Sequence, residues 1–156
     1  MTTPQIGRPL PTLKADTTQG PFDSQALLGK PWVLYFYPKD NTPGCTLEAQ
    51  DFRDQHAQFE ALGCPIYGVS RDSLKSHDGF TEKQNLPFAL ISDPDETLCT
   101  LFGVMKLKNM YGKQVRGVER STFLIDAKGL LVREWRGVRV PDHVNEVLKA
   151  VQELNA

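Results

Sequence analysis

The sequence predicts an α/β fold in which a mixed β-sheet is flanked by helices. The first observation is a run of six aromatic or aliphatic residues, Trp32 to Tyr37, which indicates a strand buried on both faces. The second is the alternation of strand and helix patterns after it, followed by two strands joined by a short turn and a closing helix. Parallel strands require crossovers, whereas short turns join antiparallel strands, so this sheet contains both kinds of pairing.

Each element has its own local signal. A β-hairpin is predicted near the amino terminus, with a strand over Thr12 to Asp16 and a turn through Thr17 to Pro21. The long helix begins where Thr42 suits the N-cap and Pro43 the first helical position, and Gly63 ends it. The other predicted elements are strand 66–69, helix 73–84, strand 88–91, helix 96–102, strands 122–125 and 130–135, and helix 142–154. This order of elements is that of the thioredoxin-like folds.

Composition and charge exclude several classes of function. No linker or repeat divides residues 1–156, so one domain is predicted. Lys and Arg total 18 and Asp and Glu total 19, and this balance offers no broad electrostatic footprint for nucleic acid or a membrane surface. No apolar stretch approaches the ~18 residues of a membrane span, and the amino terminus lacks a signal-peptide pattern. The balanced charge makes a small uncharged molecule the more natural ligand. Three cysteines do not make a secreted disulfide framework, so we expect a cytoplasmic protein.

Cys45 is the cysteine with the most informative position. It falls in the first turn of the long predicted helix, where free backbone N–H groups and the helix dipole stabilise a thiolate. The preceding strand stops at Pro38, so the thiol lies at the carboxyl edge of the sheet, where α/β folds build their sites. The Thr42 hydroxyl is close enough in sequence to reach the thiolate or a bound substrate. A small residue at a helix start could fill the same position without any function, and local physics leaves both interpretations open.

Three other cysteine chemistries fit poorly. A CxxC disulfide exchanger needs a second cysteine where this chain has Glu48. A cysteine hydrolase needs a histidine base beside the thiol. His56, His77 and His143 all fall on predicted helices without a motif that links them to Cys45, and we expect exposed or packing residues. The cysteines and histidines also lack zinc-site spacing, so neither a metal nor a cofactor is predicted.

The segment from Tyr35 to Thr46 resembles the peroxidatic motif of the peroxiredoxins, and more narrowly that of the bacterioferritin comigratory protein or peroxiredoxin Q branch. Further similar blocks are Phe52–Asp54, Gly68–Ser70, Leu90–Asp95, Phe102–Val104 and Arg120–Asp126. The resemblance implies a thioredoxin-like fold and a thiol-dependent peroxidase. Its substrates would be hydrogen peroxide and organic hydroperoxides, which it would reduce to water or alcohols.

The resemblance also implies a set of catalytic residues. Cys45 is the peroxidatic cysteine, whose thiolate attacks the hydroperoxide and becomes a sulfenic acid. Thr42 hydrogen-bonds the thiolate and the peroxide, and Pro38 shields the pocket from water. Arg120 stabilises the thiolate and the polarised O–O bond, and Glu48 orients that guanidinium.

The sequence departs from the family pattern at the resolving cysteine. Many members of this branch carry one five residues after the peroxidatic cysteine, where this chain has Gln50. Others carry it on the next helix, but Ser73 to Gln84 contains no cysteine. Cys64 is expected to be a buried structural residue, and a resolving role for Cys99 is the less favoured interpretation. We therefore expect a one-cysteine cycle in which thioredoxin, glutaredoxin or a low-molecular-weight thiol reduces the sulfenic acid.

Several alternatives remain at the level of sequence. The basic stretch from Val104 to Glu119 is predicted to be a mobile, irregular loop, whose charge is either solvated or docks an acidic reductant. Within it, Arg116 competes with Arg120 for the role of catalytic arginine. A thiol redox sensor or holdase is the alternative to a peroxidase, and an inert thioredoxin-like module is a third interpretation. A monomer is expected, and the preferred hydroperoxide and the reductant are left undetermined.

Overall fold

A seven-stranded mixed sheet with helices on both faces organises the chain. The computed structural model describes residues 3–154, apart from the side chain of Met110. Its strands are β1 (Lys14–Thr17), β2 (Gly20–Asp23), β3 (Trp32–Phe36), β4 (Ile66–Ser70), β5 (Ala89–Ser92), β6 (Met105–Met110), β7 (Lys113–Val118), β8 (Ser121–Ile125) and β9 (Leu131–Arg136). Its α-helices are α1 (Pro43–Ala61), α2 (Leu74–Gln84), α3 (Thr97–Leu101) and α4 (His143–Leu154). The large sheet has the order β2-β1-β5-β4-β3-β8-β9, which confirms the predicted mixed α/β architecture.

Strand β3 lies inside the sheet and is buried along its whole length. It runs parallel to β4, with Tyr35 opposite Gly68, and antiparallel to β8, with Tyr35 opposite Thr122. Tyr35 packs into the core beneath α1, α2 and α4, whereas Leu34 and Phe36 pack into the core on the other face, which includes α3. The continuous apolar run in the sequence is therefore explained by two cores that share one strand.

Helix α1 begins and ends where its local signals predict. It starts at Pro43 and runs to Ala61, and Gly63 follows with a left-handed φ of +65°. Thr42 has the extended backbone of an N-cap, but its side chain makes no capping hydrogen bond. The hydroxyl donates instead to the backbone carbonyl of Lys39 at 2.7 Å. The predicted start of the helix is right, whereas side-chain capping by Thr42 is wrong.

The stretch from Val104 to Glu119 is a β-hairpin and not the irregular loop expected from the sequence. Strands β6 and β7 pair antiparallel through six residue pairs. Tyr111 and Gly112 form the turn with φ of 53° and 78°, the signs that a two-residue type I′ turn requires. Leu107 and Val115 are exposed among polar neighbours. Only the base of the hairpin, at Met105 and Val118, packs on the core, so its strands bury no continuous apolar face that would mark them as strands.

The amino-terminal hairpin is present, with a tighter turn than predicted. Its strands extend to Thr17 and resume at Gly20, which leaves a two-residue connection. The Thr17 hydroxyl donates to the Gly20 carbonyl at 2.7 Å and accepts from the Gln19 amide at 3.0 Å, which closes the turn. β1 then adds antiparallel to β5. Among the helices in residues 3–154, none is long and apolar enough to cross a membrane.

Candidate active site

The end of β3 and the start of α1 place Cys45 at the carboxyl edge of the sheet. Cys45 is the third residue of α1, and its side chain is buried, with the residue 2% exposed. The first N–H groups of a helix have no intrahelical partner, and together with the helix dipole they favour negative charge nearby. The sulfur belongs to the core cluster beneath α1 and yet lies at the positive end of that helix. Burial restricts access to the thiol, and the helix end surrounds it with backbone N–H groups.

Arg120 contacts the sulfur from the neighbouring strand. Its Nη2 donates to Cys45 Sγ at 3.4 Å. The register explains this contact, because Phe36 at the end of β3 lies opposite Ser121 at the start of β8, and Arg120 immediately precedes Ser121. A Cβ atom on Gly44 would lie 3.1 Å from Arg120 Nη2, so the guanidinium packs closely against the first turn of α1. The antiparallel pairing of β8 with β3 thus brings together two residues that are 75 positions apart in the chain.

Arg116, the other candidate arginine, lies elsewhere. It is exposed on β7, and its Nη1 lies 2.5 Å from the Glu96 carboxylate. Arg71 reaches the same carboxylate at 3.1 Å. The ion pairs to both arginines outweigh the effect of burial, and they hold the pKa of Glu96 below its usual value. Of the two arginines, Arg120 is therefore the one that the fold brings to Cys45.

Glu48 lies one turn after Cys45 and is fully buried. Its Oε1 accepts a hydrogen bond from Arg120 Nη1 at 2.7 Å, and its buried Oε2 has no partner among the described residues. Burial raises the pKa of the Glu48 carboxyl to about 7, against the opposing pull of Arg120 and with a further rise from Asp51. Burial also acts to lower the pKa of Arg120, but Glu48 and Cys45 outweigh it, and the net direction is upward. The guanidinium therefore stays charged and is held between a carboxyl group and a thiol.

Thr42 and Pro38 lie in the turn between β3 and α1. Thr42 is half-buried, and because its proton is donated to Lys39 O, its oxygen lone pairs remain available to a hydrogen-bond donor. The hydroxyl proton is thus donated to the backbone, and a hydrogen bond between Thr42 and the thiolate or a substrate stays a prediction. Pro38 is half-buried directly after Tyr37.

The positions predicted for a resolving thiol hold other residues or lie far away. Gln50 donates to Gln84 at 2.8 Å and so bridges α1 and α2. Cys64 follows the far end of α1, and that helix rises about 24 Å between Cys45 and Ala61 at about 1.5 Å per residue. Cys99 is fully buried in the core on the opposite face of the sheet from Cys45. In this fold, neither thiol is near Cys45.

The two distant thiols are also poor nucleophiles. Burial raises the pKa of the Cys64 thiol to about 12. Burial, and then the neighbouring Asp93, raise the pKa of Cys99 above its usual range. Since the thiolate is the reacting species, a raised pKa makes both cysteines weaker nucleophiles near neutral pH than an ordinary thiol. These features agree with the structural role expected for Cys64.

The histidines divide into one surface residue and two buried ones. His56 lies on α1 with its Nδ1 3.6 Å from Glu60. His143 is buried at the start of α4, where its Nε2 shares a 2.8 Å hydrogen bond with the Thr122 hydroxyl. Burial, with Arg120 adding to it, lowers the pKa of His143 to about 4, so the ring is neutral at pH 7. His77 is also buried, and its Nδ1 lies 2.7 Å from Asp40 Oδ2, in the turn that carries Thr42 and Pro38.

Asp40 and His77 are the site-forming residues that sequence reasoning missed. Asp40 stands in a turn whose residues are mostly exposed or half-buried, and only the fold shows that its carboxylate is covered. His77 occurs in a helix that has only one other buried residue, Phe80. The three-residue spacing of His77 and Phe80 on α2 is the only sequence signal that could have indicated a buried histidine.

Known proteins are similar to this chain over most of its length. The AhpC/TSA family model matches residues 6–134. Peroxiredoxin Bcp of Bacillus subtilis is 54% identical over 127 residues, which are 81% of each chain. The structure of Xanthomonas campestris Peroxiredoxin Q has a TM-score of 0.86 at 50% identity and covers 90% of both chains. A cysteine-to-serine mutant of Xylella fastidiosa PrxQ has a TM-score of 0.93 at 40% identity over the full length of both chains.

These similarities confirm the resemblance inferred from the peroxidatic motif and the later sequence blocks. They also confirm the thioredoxin-like architecture, since the solved structures superpose over nearly the whole molecule. The chain therefore belongs to the AhpC/TSA family, in the Bcp or peroxiredoxin Q branch of the thiol-dependent peroxidases.

Proposed function

We propose that Cys45 is the peroxidatic nucleophile of this peroxidase. Its thiolate attacks the terminal oxygen of a hydroperoxide, and an S–O bond forms as the O–O bond breaks. The sulfur is oxidised to a sulfenic acid, and the peroxide leaves as hydroxide or alkoxide, which takes a proton from solvent. The observation that carries the proposal is the contact of Arg120 Nη2 with Cys45 Sγ at 3.4 Å, at the amino end of α1.

We further propose that Arg120, Glu48 and Thr42 form the polar environment of the reaction. The planar guanidinium offers several donors in a fixed arrangement, so one edge can hold the sulfur and the attacked oxygen while another contacts Glu48. Thr42 Oγ1 has free lone pairs that can accept the peroxide O–H, because its own proton is used by Lys39 O. These groups are oriented before the peroxide arrives, which is the condition for electrostatic catalysis.

We assign Pro38 the role of a shield. It is half-buried at the point where β3 gives way to the turn before α1. Its ring has no N–H with which to bind water, so it covers part of the site with apolar surface.

We propose a one-cysteine cycle. An external thiol attacks the Cys45 sulfenic acid, water leaves, and a mixed disulfide forms; a second thiol then releases Cys45 and becomes part of a disulfide. Three observations support this cycle. Cys64 follows the far end of α1, Cys99 lies across the sheet, and Gln50 stands where a resolving cysteine would be. Cys45 is nearly buried, so a protein reductant reaches its sulfur only after the first turn of α1 has moved.

The proposed reductant is thioredoxin, glutaredoxin or a low-molecular-weight thiol. The proposed substrates are hydrogen peroxide and organic hydroperoxides. One solved structure, 49% identical to this chain, concerns the alkyl peroxide reduction activity of the Xanthomonas campestris Bacterioferritin Comigratory Protein, which supports the organic substrates. We also propose a monomer that acts in the cytoplasm as one domain over residues 1–156. The three free and buried cysteines are compatible with a reducing compartment.

Peroxide consumption and trapping of the oxidised cysteine test the proposal together. With a reductant present, the wild type should consume hydrogen peroxide, Cys45→Ser should not, and Cys64→Ala with Cys99→Ala should retain activity. After one equivalent of peroxide, mass spectrometry should find a dimedone adduct on Cys45. Equal slow consumption by wild type and Cys45→Ser would refute the nucleophile, and a Cys45–Cys99 or Cys45–Cys64 disulfide would refute the one-cysteine cycle.

A further inference from the structure

A buried polar cluster lies beneath the turn that connects β3 to α1. Its centre is the Asp40 carboxylate, which is almost completely covered. The Tyr37 hydroxyl donates to Asp40 Oδ1 at 2.6 Å, and the Ser76 hydroxyl donates to Oδ2 at 2.8 Å. His77 Nδ1 lies 2.7 Å from the same Oδ2. Tyr37, directly after β3, and two residues of α2 therefore converge on one side chain of the turn.

The hydrogen-bond partners of His77 determine the protonation state of its ring. Nε2 lies 2.9 Å from the backbone carbonyl of Ile91, which can only accept, so Nε2 carries a proton. Nδ1 lies against Asp40, whose oxygens already accept from Tyr37 and Ser76. Burial acts to raise the pKa of Asp40, but the hydrogen bonds from His77 and Tyr37 outweigh it and lower that pKa, so the group is a carboxylate. Both ring nitrogens therefore face acceptors, and the ring that satisfies them is the imidazolium.

The same cluster has the spacing of a metal site, but its ligand atoms are already used. Atoms of Asp40, Asp72 and His77 lie within 4.8 Å of one another. Asp72 Oδ2 accepts from the Asp40 amide at 2.7 Å and from the Ser70 hydroxyl at 2.9 Å. His77 Nδ1 is bonded to Asp40, and its other nitrogen to a backbone carbonyl. A cation would have to displace several of these hydrogen bonds, so the arrangement fits an internal ion pair better than a bound metal.

The ion pair lies directly beneath the turn that borders Cys45. Asp40 is two residues before Thr42, the N-cap of α1, and two residues after Pro38. Between Asp40 and Thr42, Asn41 has a left-handed φ of 62°, a conformation that a non-glycine residue adopts at a cost. Side chains of α2 and the Asp72 carboxylate hold Asp40 on one side of this residue. The position of Thr42 at the mouth of the site therefore depends on how firmly Asp40 is held.

We propose that Asp40 and His77 form a buried ion pair that positions the Pro38–Thr42 turn for reaction of Cys45 with peroxide. This inference rests on the proposed function of Cys45. Both residues are positioning residues, since they contact neither the sulfur nor Arg120 in the described hydrogen bonds. Their effect on the reaction is geometric, and a displacement of a reacting group by about 1 Å can cost about 100-fold in rate.

The first arm of the test measures the protonation of His77 without any use of enzyme activity. In the wild type at pH 7, ¹⁵N NMR of the histidine rings should show His77 with protons on both nitrogens. In Asp40→Asn, the amide can donate to Nδ1, so the ring should become neutral with Nδ1 unprotonated. A wild-type His77 with a single N–H would overturn the ion pair, whether or not the protein consumes peroxide.

The second arm compares two reactions of Cys45. In Asp40→Asn, the rate constant for oxidation by hydrogen peroxide should fall about 10-fold, because the turn that receives the peroxide is less firmly held. Alkylation of Cys45 by iodoacetamide should change less than about two-fold, since Arg120 and α1 are untouched. His56→Asn, a histidine at the surface of α1, is the matched control, and both of its rates should stay at the wild-type values.

A third variant tests the ion pair from the His77 side if Asp40→Asn alone leaves the oxidation rate unchanged. His77→Phe leaves Asp40 as an unpaired buried carboxylate and should lower stability as well as the oxidation rate. Adding Asp40→Asn to His77→Phe should restore part of the stability, because the unpaired charge is gone. Folded Asp40→Asn and double variants that both react with peroxide at the wild-type rate would overturn the positioning role. A wild type that reacts with neither reagent would instead refute the function proposed for Cys45.

Discussion

Replacing Glu48 by glutamine should remove a pH-dependent penalty on the stability of the protein. Glu48 is fully buried, and its pKa rises from an ordinary 4.5 to about 7 in the folded state. One pKa unit corresponds to about 1.4 kcal/mol, so ionisation of Glu48 lowers the free energy of unfolding by roughly 3 kcal/mol. Arg120 remains charged throughout this range, so the carboxyl titrates against a constant partner.

The direction of this pH dependence of stability follows from proton binding. Between pH 4.5 and about 7, the folded state holds the Glu48 proton more tightly than the unfolded chain does. The contribution of the neutral carboxyl is therefore complete below pH 4.5, and it is lost as the pH rises through about 7. Glutamine keeps an oxygen that can accept from Arg120 Nη1, and it cannot ionise. The stability of Glu48→Gln relative to wild type should thus increase by roughly 3 kcal/mol from pH 4.5 to pH 8.

Urea denaturation at half-unit steps from pH 4.5 to pH 8 measures this difference directly. Subtracting the wild-type free energy from that of the variant removes the titration of other groups that the two proteins share. Glu82→Gln on the exposed side of α2 is the matched control and should give a flat difference. A flat difference for Glu48→Gln as well would show that the buried carboxyl ionises in its ordinary range, and the electrostatic description of the site would be wrong.

Three further substitutions test other parts of the site. Arg120→Lys keeps the charge but not the fork that contacts two partners, and stopped-flow oxidation by peroxide should slow about 100-fold. Thr42→Val removes a hydroxyl that does not cap α1, so the free energy of unfolding should change by less than about 0.5 kcal/mol. Oxidation of Cys45 by peroxide should slow about 100-fold in the same variant. A large loss of stability with a normal rate of oxidation would contradict the role assigned to Thr42. Gly68→Ala places a Cβ 2.8 Å from Tyr35 Cζ, and thermal denaturation should show a loss of about 1–3 kcal/mol.

Local rules in the sequence determined the central strand, the long helix and the place of Cys45 at the start of that helix. Trp32 to Phe36 carries enough apolar surface to require burial on both faces, whatever its partners are. Pro43 and Gly63 delimit α1 because their backbone preferences act within a single turn. The position of Cys45 in the first turn of that helix is likewise a local property, whereas its assignment as the nucleophile came from the resemblance to the peroxiredoxin motif. The β6–β7 hairpin was missed because most of it is exposed and only its base, at Met105 and Val118, packs on the core.

Only the tertiary structure decided which residues surround that cysteine. The resemblance assigned Arg120 and left Arg116 as a competitor, and the pairing of β8 with β3 is what brings Arg120 to Cys45. The raised pKa of Glu48 and the double protonation inferred for His77 likewise depend on burial, which no short segment encodes. Periodicity and end signals act between residues that are near in sequence, whereas electrostatics depends on exclusion of water and on neighbours that the sheet brings from distant parts of the chain.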